Sequence, residues 1–349
     1  MKKKLIFIND CLKPLQERVP KCNMVDADFI RFQDGAGKVV LPTECRDDDV
    51  YVICDVNDKT PNPYSEKSLS PDDHVRDIAR VIGALKENPS RKNLIVPFLP
   101  YGRQHRKTFG ESMEAADFLR ECRYHGFKNI LTADAHDPDV SAAISKHNFD
   151  NMFTTNIILP ELVIKEGIDY ENSADILIVA PDEGAQQRAR HFADRFGCNY
   201  AFFSKRRDVT KIVDGKNPLV SKQYVGFSPE GKTVIIVDDM IASGGTILET
   251  AKELKNMGAK NIFVCATFGL FTKGTEKFNE FSKQGIIDKT YISNLTFLTP
   301  QDMEGINVVD GTEQVWNWIC ATHDGKENMM EELGMNIEPV ASLVRKRMK

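Results

Sequence analysis

The stretch TVIIVDDMIASGGTILETAKELKNMG, from Thr233 to Gly258, indicates the fold class of the chain. It begins with an apolar run, continues through two adjacent acids and the polar turn SGGT, and ends in a segment with apolar residues at helical spacing. A glycine follows that segment, as it does at many helix C-termini. The stretch therefore predicts a buried strand, a tight turn and a helix, which is the repeating unit of α/β proteins with parallel sheets.

The same alternation of apolar runs and helical patterns continues along the chain. The other predicted strands are Leu5–Ile8, Val50–Cys54, Asn93–Val96, Ile130–Ala133, Ile176–Ala180 and Ile262–Thr267. Further helical patterns lie at 115–122 and 185–196, while Asp55–Pro71 and Lys205–Lys222 are predicted to be loops. We expect an α/β fold with mostly parallel sheets flanked by helices.

The chain length favours two domains, because 349 residues exceed one ordinary core. LIVPFLPYGRQHR (Leu94–Arg106) and LIVAPDEGAQQR (Leu177–Arg188) are similar, which indicates two related halves. We place the boundary within Phe149–Pro160. The expected domains are 1–155 and 156–310, followed by a C-terminal extension at 311–349 for which packing back on the first domain is one option.

Composition excludes several classes of protein. The net charge of −5 argues against a nucleic-acid binder, and no apolar run approaches the ~20 residues of a membrane helix. The eight cysteines form no C-x-x-C pair, so a zinc site of that type is not expected. Scattered single cysteines favour a reducing compartment, and we expect a cytoplasmic protein.

The acid pair and the turn after it have complementary chemistry. Asp238 and Asp239 are expected beyond the carboxyl end of their strand, where open parallel sheets bind ligands. Two carboxylates ~4 Å apart repel by ~1 kcal/mol in water and ~4 kcal/mol at a dielectric of 20, so hydroxyl donors or a cation would stabilise them. The turn Ser243–Thr246 opens a helix, where free N–H groups attract an anion. A sugar phosphate suits both halves; the alternative is an ordinary capped turn with solvated aspartates.

VIIVDDMIASGGT, residues 234–246, resembles the ribose-5-phosphate loop shared by type I phosphoribosyltransferases and ribose-phosphate pyrophosphokinases. The loop alone does not distinguish the two families. The other segments that resemble motifs of the pyrophosphokinases are FIRFQDG (29–35), PYGRQHRK (100–107), TADAHDPD (132–139), APDEG (180–184) and FSKRRDVTK (203–211). Each could be a basic turn, a core aromatic or a structural histidine by itself. Their order and spacing identify the chain as a divergent member of the ribose-phosphate pyrophosphokinase family, also called PRPP synthetases.

The resemblance implies two phosphoribosyltransferase-like domains and transfer of the pyrophosphoryl group of MgATP to the C1 hydroxyl of ribose 5-phosphate, giving PRPP and AMP. It implies ATP contacts from Phe32, Asp34, Arg103 and Gln104. It implies ribose-5-phosphate contacts from Asp238, Asp239, Ser243, Gly244, Gly245 and Thr246. It implies Mg²⁺ near His136 and Asp182, and catalytic roles for Lys205 and Arg207 on a mobile loop and for His136. It also implies a homo-oligomer built from dimers, with a hexamer as one option.

Three positions depart from the family pattern. Ala36 and Ala242 stand where the family usually has acids, and His105 replaces an aspartate. These departures leave open a non-catalytic homologue that binds nucleotides or regulates a true synthetase. A phosphoribosyltransferase is the third option, but the ATP-side motifs argue against it, since such enzymes need no ATP site.

Overall fold

The computed structural model describes residues 1–10, 12–59, 61–64, 67–85, 88–105, 110–144, 149–207, 219–326 and 338–348. These residues form two compact units. The described parts of the first unit are within Met1–Thr154, Asn294–Phe297 and 310–326. Those of the second unit are within Thr155–Ser293, Leu298–Val309 and 338–348. The chain thus enters the second unit at Thr155 and returns twice to the first.

The first unit is built on a five-stranded parallel sheet with the strand order β1-β4-β5-β6-β7. Its strands are β1 (Lys3–Phe7), β4 (Asp49–Ile53), β5 (Arg91–Ile95), β6 (Asn129–Ala133) and β7 (Phe149–Met152). A separate antiparallel hairpin consists of β2 (Asp28–Arg31) and β3 (Gly37–Val40). The helices are α1 (Lys13–Arg18), α2 (Pro71–Ala84), α3 (Glu114–Tyr124) and α8 (Thr312–Asp324).

Alternate residues of β4 point to opposite faces of this sheet. Val50 and Val52 belong to the apolar cluster that also holds Ile78 of α2 and Leu119 of α3. Tyr51, on the other face, packs edge-on against Trp318 of α8, with ring centroids 6.3 Å apart. A helix from late in the chain therefore covers one face of the N-terminal sheet.

Helix α2 begins with a clear local signal. The Ser70 hydroxyl accepts the Asp73 N–H, the Asp73 carboxylate accepts the Ser70 N–H, and Pro71 follows the cap. This capping box satisfies N–H groups that a helix start otherwise leaves unpaired. The loop predicted at Asp55–Pro71 ends where α2 begins, but α2 itself was not predicted, although its S-x-x-D pattern is present in the sequence.

The second unit contains a seven-stranded sheet with the order β10-β9-β8-β11-β12-β13-β14. Its strands are β8 (Ile176–Ala180), β9 (Asn199–Arg207), β10 (Leu219–Gly226), β11 (Thr233–Ile241), β12 (Asn261–Gly269), β13 (Lys289–Ser293) and β14 (Asn307–Val309). β10 is antiparallel to β9, and the other neighbouring pairs are parallel. Its helices are α4 (Thr155–Glu166), α5 (Gln186–Phe196), α6 (Gly245–Asn256), α7 (Glu276–Lys283) and α9 (Val340–Arg347).

Two apolar layers cover the faces of this sheet. Ile235 and Val237 of β11 pack in one layer with Phe192 of α5. Ile236, between them in sequence, packs in the other layer with Leu254 of α6. Helices on both faces of a mostly parallel sheet confirm the expected α/β architecture of each half.

All of the predicted strands are present; β8 has the predicted bounds, and the others are shifted at one or both ends. The loop prediction for Lys205–Lys222 was wrong at both ends, because Lys205–Arg207 complete β9 and Leu219 begins β10. Residues 208–218 lie outside the described part of the chain. The seven cysteines within the described residues are free thiols. None of the helices in those residues has both the length and the apolar character that crossing a membrane requires.

Candidate functional site

The acid pair lies inside β11 rather than after it. β11 pairs with β8 only as far as Ile236, opposite Val179, but continues along β12 to Ile241. The prediction that Asp238 and Asp239 follow the strand end was therefore wrong for β11 itself. Because β8 stops pairing first, both acids still lie beyond the carboxyl end of that pairing, at the edge where parallel sheets bind ligands.

The two carboxylates lie in a confined space. Asp239 is buried, and its N–H donates to Oδ1 of Asp238 at 2.9 Å. Burial, and then the charge of Asp239, raise the pKa of Asp238 well above its usual value, while Arg188 of α5 acts in the opposite direction on that pKa. The pair would be stabilised by hydroxyl donors or a cation. Arg188 was not predicted as a site residue, although it ends the segment Leu177–Arg188 that is similar to Leu94–Arg106.

The turn after β11 is shaped by Gly244. This residue has φ 76° and precedes α6, and no side chain of the described residues caps that helix start. A methyl group on Gly244 would lie 2.5 Å from Cε2 of Phe278. Only glycine fits both the left-handed backbone and this close approach. The N–H groups at the start of α6 are thus available to an anion beside Ser243 and Thr246.

The segment Leu270–Thr272 forms backbone hydrogen bonds with the residues just before this turn. The N–H of Leu270 donates to the carbonyl of Ile241 at 2.9 Å, and that of Thr272 donates to the carbonyl of Ala242 at 2.9 Å. Between them, the buried Phe271 has φ 39° and stacks edge-on against Phe278 at 5.6 Å. The Phe271–Phe278 pair supports the glycine turn. Neither residue was predicted from the sequence to belong to the site.

Asp182 lies at the end of the neighbouring strand β8. Its carboxylate accepts the N–H of Gly184 at 3.0 Å, which orders the turn into α5. Its charge helps to raise the pKa of Asp238, after the larger contributions of burial and Asp239. The structure thus brings together three of the predicted acids at one edge of the second sheet.

Lys205 and Arg207 occupy strand positions in β9, which lies beside β8. The prediction that these residues belong to a loop was therefore wrong. Asp208–Lys211 lie outside the described residues, and so do the side chains of 205–207. Opposite Lys205 in the ladder is Lys222. The Lys222 ammonium lies 2.7 Å from the Glu253 carboxylate and 4.4 Å from the ring centroid of Phe203.

In the first unit, the predicted adenine contacts lie at the tip of the β2–β3 hairpin. The Phe32 side chain is 47% exposed, which favours a ligand-facing role over a core role. The Asp34 carboxylate accepts the N–H of Ala36 at 3.0 Å. At the base of the hairpin, the buried Arg31 forms a two-pronged ion pair with Asp77 and so fixes the hairpin to α2.

Arg103, Gln104 and His136 follow adjacent strands, β5 and β6. Arg103 and Gln104 are exposed. The His105 ring lies 5.3 Å from the His136 ring, and its Nε2 lies 3.3 Å from the Asp137 carboxylate. The structure therefore places the exposed turn with the predicted ATP contacts Arg103 and Gln104 next to the predicted metal histidine, whereas Arg106 and Lys107 lie outside the described residues.

The predicted metal residues His136 and Asp182 belong to different units. Within the described residues, no group of three or more His, Cys, Asp or Glu side chains forms a ready metal site. Oxygen donors from Asp182, Asp238 and Asp239 nevertheless suit Mg²⁺, which usually binds through one or two carboxylates, substrate phosphates and water.

Two family models match most of this chain. Residues 7–122 match the family model for the N-terminal domain of ribose phosphate pyrophosphokinase, and residues 162–286 match that for the phosphoribosyl transferase domain. The ribose-phosphate pyrophosphokinase of Mycoplasma genitalium is 30% identical, over 84% of this chain and 83% of the relative. That of Thermococcus kodakarensis is 31% identical, over 70% of this chain and 84% of the relative.

A solved structure has the same fold. The phosphoribosylpyrophosphate synthetase from Mycobacterium smegmatis superposes with a TM-score of 0.75 at 24% identity, covering 93% of this chain and 100% of the other. The fold and site thus define a protein with two phosphoribosyltransferase-like domains, which confirms the expected fold class. The chain belongs to the ribose-phosphate pyrophosphokinase family.

Proposed function

We propose that this chain is a ribose-phosphate pyrophosphokinase that transfers the pyrophosphoryl group of ATP to the C1 hydroxyl of ribose 5-phosphate, giving PRPP and AMP. The observation that carries the proposal is the acid pair of β11 beside the uncapped start of α6, in a chain of this family. The carboxylates of the acid pair would accept hydrogen bonds from sugar hydroxyls, and the N–H groups at the start of α6 would donate hydrogen bonds to a phosphate.

The sugar site follows from these elements. The N–H groups of Gly245 and Thr246, with the hydroxyls of Ser243 and Thr246, would bind the 5-phosphate at the positive end of α6. Asp238 and Asp239 would accept hydrogen bonds from the ribose hydroxyls. Ligand donors would stabilise the charged form of Asp238, which burial and Asp239 disfavour in the free protein.

The nucleotide side uses the first unit. The exposed Phe32 ring would stack on adenine, with Asp34 at its edge, while Arg103, Gln104 and His136 would contact the phosphates. Lys205 and Arg207 would neutralise charge on the transferred group. Mg²⁺, held near His136 and Asp182 directly or through water, would supply further charge neutralisation on the phosphates. Transfer of this kind depends mainly on positioning and charge.

The test is AMP formation from ATP, with ribose 5-phosphate and Mg²⁺ each omitted in turn. We expect AMP only when both are present, with one PRPP formed per AMP. Asp238→Asn should abolish the reaction, whereas the exposed Asp169→Asn makes the same charge change in the second unit and should leave it intact. AMP formation by wild type without ribose 5-phosphate would contradict the proposal.

A second candidate is a non-catalytic homologue that binds nucleotides or regulates a true synthetase. It is favoured by Ala242, which offers no carboxylate at the start of the sugar turn and whose carbonyl already accepts the N–H of Thr272. ATP binding without AMP formation would support this candidate. Restored AMP formation in Ala242→Asp would then show that the missing acid is the cause.

We also propose a homo-oligomer assembled from dimers and a cytoplasmic location. The family resemblance supports the first, and the free thiols of the described cysteines support a reducing compartment. Sedimentation of the purified chain would test the assembly, because a monomer at micromolar concentration would contradict it.

A further inference from the structure

Tyr101 has an unusual backbone conformation. Its φ of 59° lies in the left-handed region, which an aromatic residue rarely occupies. It follows β5 and comes immediately before Gly102 and Arg103. A side chain that occupies such a conformation is normally held there by its surroundings, and these conformations cluster at functional sites.

Two contacts hold the Tyr101 side chain. Its hydroxyl donates to Oδ1 of Asp72 at 2.5 Å, and its ring packs edge-on against Phe118 of α3 at 6.4 Å. Burial, and then the bond to Asp72, raise the pKa of the Tyr101 hydroxyl, so it remains a donor at all ordinary pH values. Asp72 lies in the first turn of α2, where the positive end of the helix favours a carboxylate.

The backbone of Tyr101 in turn shapes the exposed segment that follows. Its carbonyl accepts the N–H of Gln104 at 2.7 Å. A Cβ added to Gly102 would lie 3.7 Å from Cβ of His136, so the turn passes directly beside that histidine. The conformation at Tyr101 therefore sets the direction in which Arg103 and Gln104 leave the sheet.

We propose that Tyr101 is a positioning residue for the nucleotide phosphates: the Tyr101–Asp72 hydrogen bond holds the turn that presents Arg103 and Gln104 beside His136. This inference rests on the proposed function, because it assigns ATP to that turn. Tyr101 acts through its neighbours and does not itself contact the substrate.

The test compares KM for ATP, kcat and KM for ribose 5-phosphate in the full-length protein. Loss of one hydrogen bond to a charged group predicts that Tyr101→Phe raises KM for ATP about three- to tenfold. kcat should stay within about twofold and KM for ribose 5-phosphate should not change, since the contact belongs to the first unit and the sugar turn to the second. A purely structural role would lower the melting temperature without this selective change in KM.

Matched variants sharpen the comparison. Asp72→Ala should reproduce the effect of Tyr101→Phe, and the double variant should be no worse than either single variant. Asp72→Asn retains an oxygen acceptor and should remain close to wild type. Tyr124→Phe is the control, because Tyr124 is 88% exposed on α3.

The proposal is overturned if KM for ATP is unchanged in Tyr101→Phe, or if the two single effects add in the double variant. If the wild type forms no PRPP, the proposed function fails, and the same variants are then compared by calorimetric titration with ATP. A weaker Kd in Tyr101→Phe would still support the positioning role. Absence of ATP binding by wild type would overturn both.

Discussion

Gly244 faces the edge of the Phe278 ring so closely that an added methyl group would lie 2.5 Å from Cε2 and 2.9 Å from Cζ. Phe278 cannot easily withdraw, since it is buried and packs against Phe271. The glycine turn is therefore shaped by two aromatic rings behind it as well as by its own backbone. The geometry of the turn therefore depends on Phe271 and Phe278, which lie outside the motif that forms it.

Gly244→Ala should damage the sugar site more than the fold. The clash and the left-handed backbone should cost about 1–3 kcal/mol of unfolding free energy. KM for ribose 5-phosphate should rise at least about tenfold, because the N–H groups of α6 would be displaced. Steady-state kinetics and urea denaturation measure the two effects.

Gly197→Ala is the matched control for Gly244→Ala. Gly197 has φ 63°, but an added Cβ there would meet no atom within 4 Å. Gly197→Ala should lower the unfolding free energy only by the cost of the left-handed backbone, and its KM for ribose 5-phosphate should be that of the wild type. Equal KM values in the two variants would contradict the role of Phe278.

Lys205→Ala should lower kcat by on the order of 100-fold or more while leaving the Kd of ribose 5-phosphate nearly unchanged, because its proposed role is charge stabilisation during transfer. Lys222→Ala is the neighbouring control. Lys222 is opposite Lys205 in the ladder and is already paired with Glu253, so its loss should affect stability more than turnover. Normal turnover in Lys205→Ala would refute the assignment.

Asp55 should make the stability of the first unit pH-dependent. It is fully buried, and burial raises its pKa to about 6 although the N–H groups of Asn57 and Phe297 and the hydroxyl of Thr296 favour its charged form. Between pH 4 and 6 the folded state then binds more protons than the unfolded state. The unfolding free energy should therefore fall as the pH rises through this window, by up to about 3 kcal/mol.

Asp55→Asn should remove this pH dependence, because an amide does not titrate. Asp28→Asn, an exposed aspartate on β2, should leave it in place. Chemical denaturation at half-unit steps from pH 4 to 7 measures the slope. The assignment would be contradicted if the unfolding free energy of the wild type rises with pH and that of Asp55→Asn shows the same pH dependence.

Arg91→Lys should destabilise the first unit by about 2–4 kcal/mol. Arg91 forms a two-pronged pair with the buried Asp49 and also donates at 2.9 Å to the carbonyls of Thr322 and His323, at the end of α8. A lysine ammonium cannot serve all of these acceptors. Arg120→Lys, in an exposed pair with Asp117, should change stability by less than about 0.5 kcal/mol.

The parts of the fold that were predictable have strong local patterns. β8 and the segment Val234–Val237 of β11 are continuous apolar runs, and both strands start where the sequence predicts, because both faces of these segments are buried. β7 was missed because it is a short edge strand, FDNM, with two polar residues in its middle. Asp150 is accommodated there by Trp318 of α8, whose indole N–H donates to it at 3.0 Å. No local pattern reveals such a distant partner.

In the candidate site, too, residues in local motifs were predictable and residues placed by tertiary contacts were not. The acid pair and the glycine turn were identifiable because they follow an apolar run within one short motif, and Asp182 because its segment resembles a family motif. Tyr101 and Phe271 were missed because a left-handed aromatic residue has no sequence signature. β9 was not predicted, and its last three residues, Lys205–Arg207, were assigned to a loop. Charged residues such as these are depleted in strands unless tertiary pairing places them there.

The covering of Tyr51 by Trp318 has a consequence for how the chain is made. During synthesis, the sheet of β1 and β4–β7 is finished by residue 152, yet the helix that covers one of its faces ends only at Asp324. At about 5–20 residues per second, the ribosome takes roughly 10–30 s to produce the intervening chain. Throughout that interval the face of the nascent sheet around Tyr51 lacks the helix that covers it in the folded protein, so we expect chaperones to bind there during synthesis.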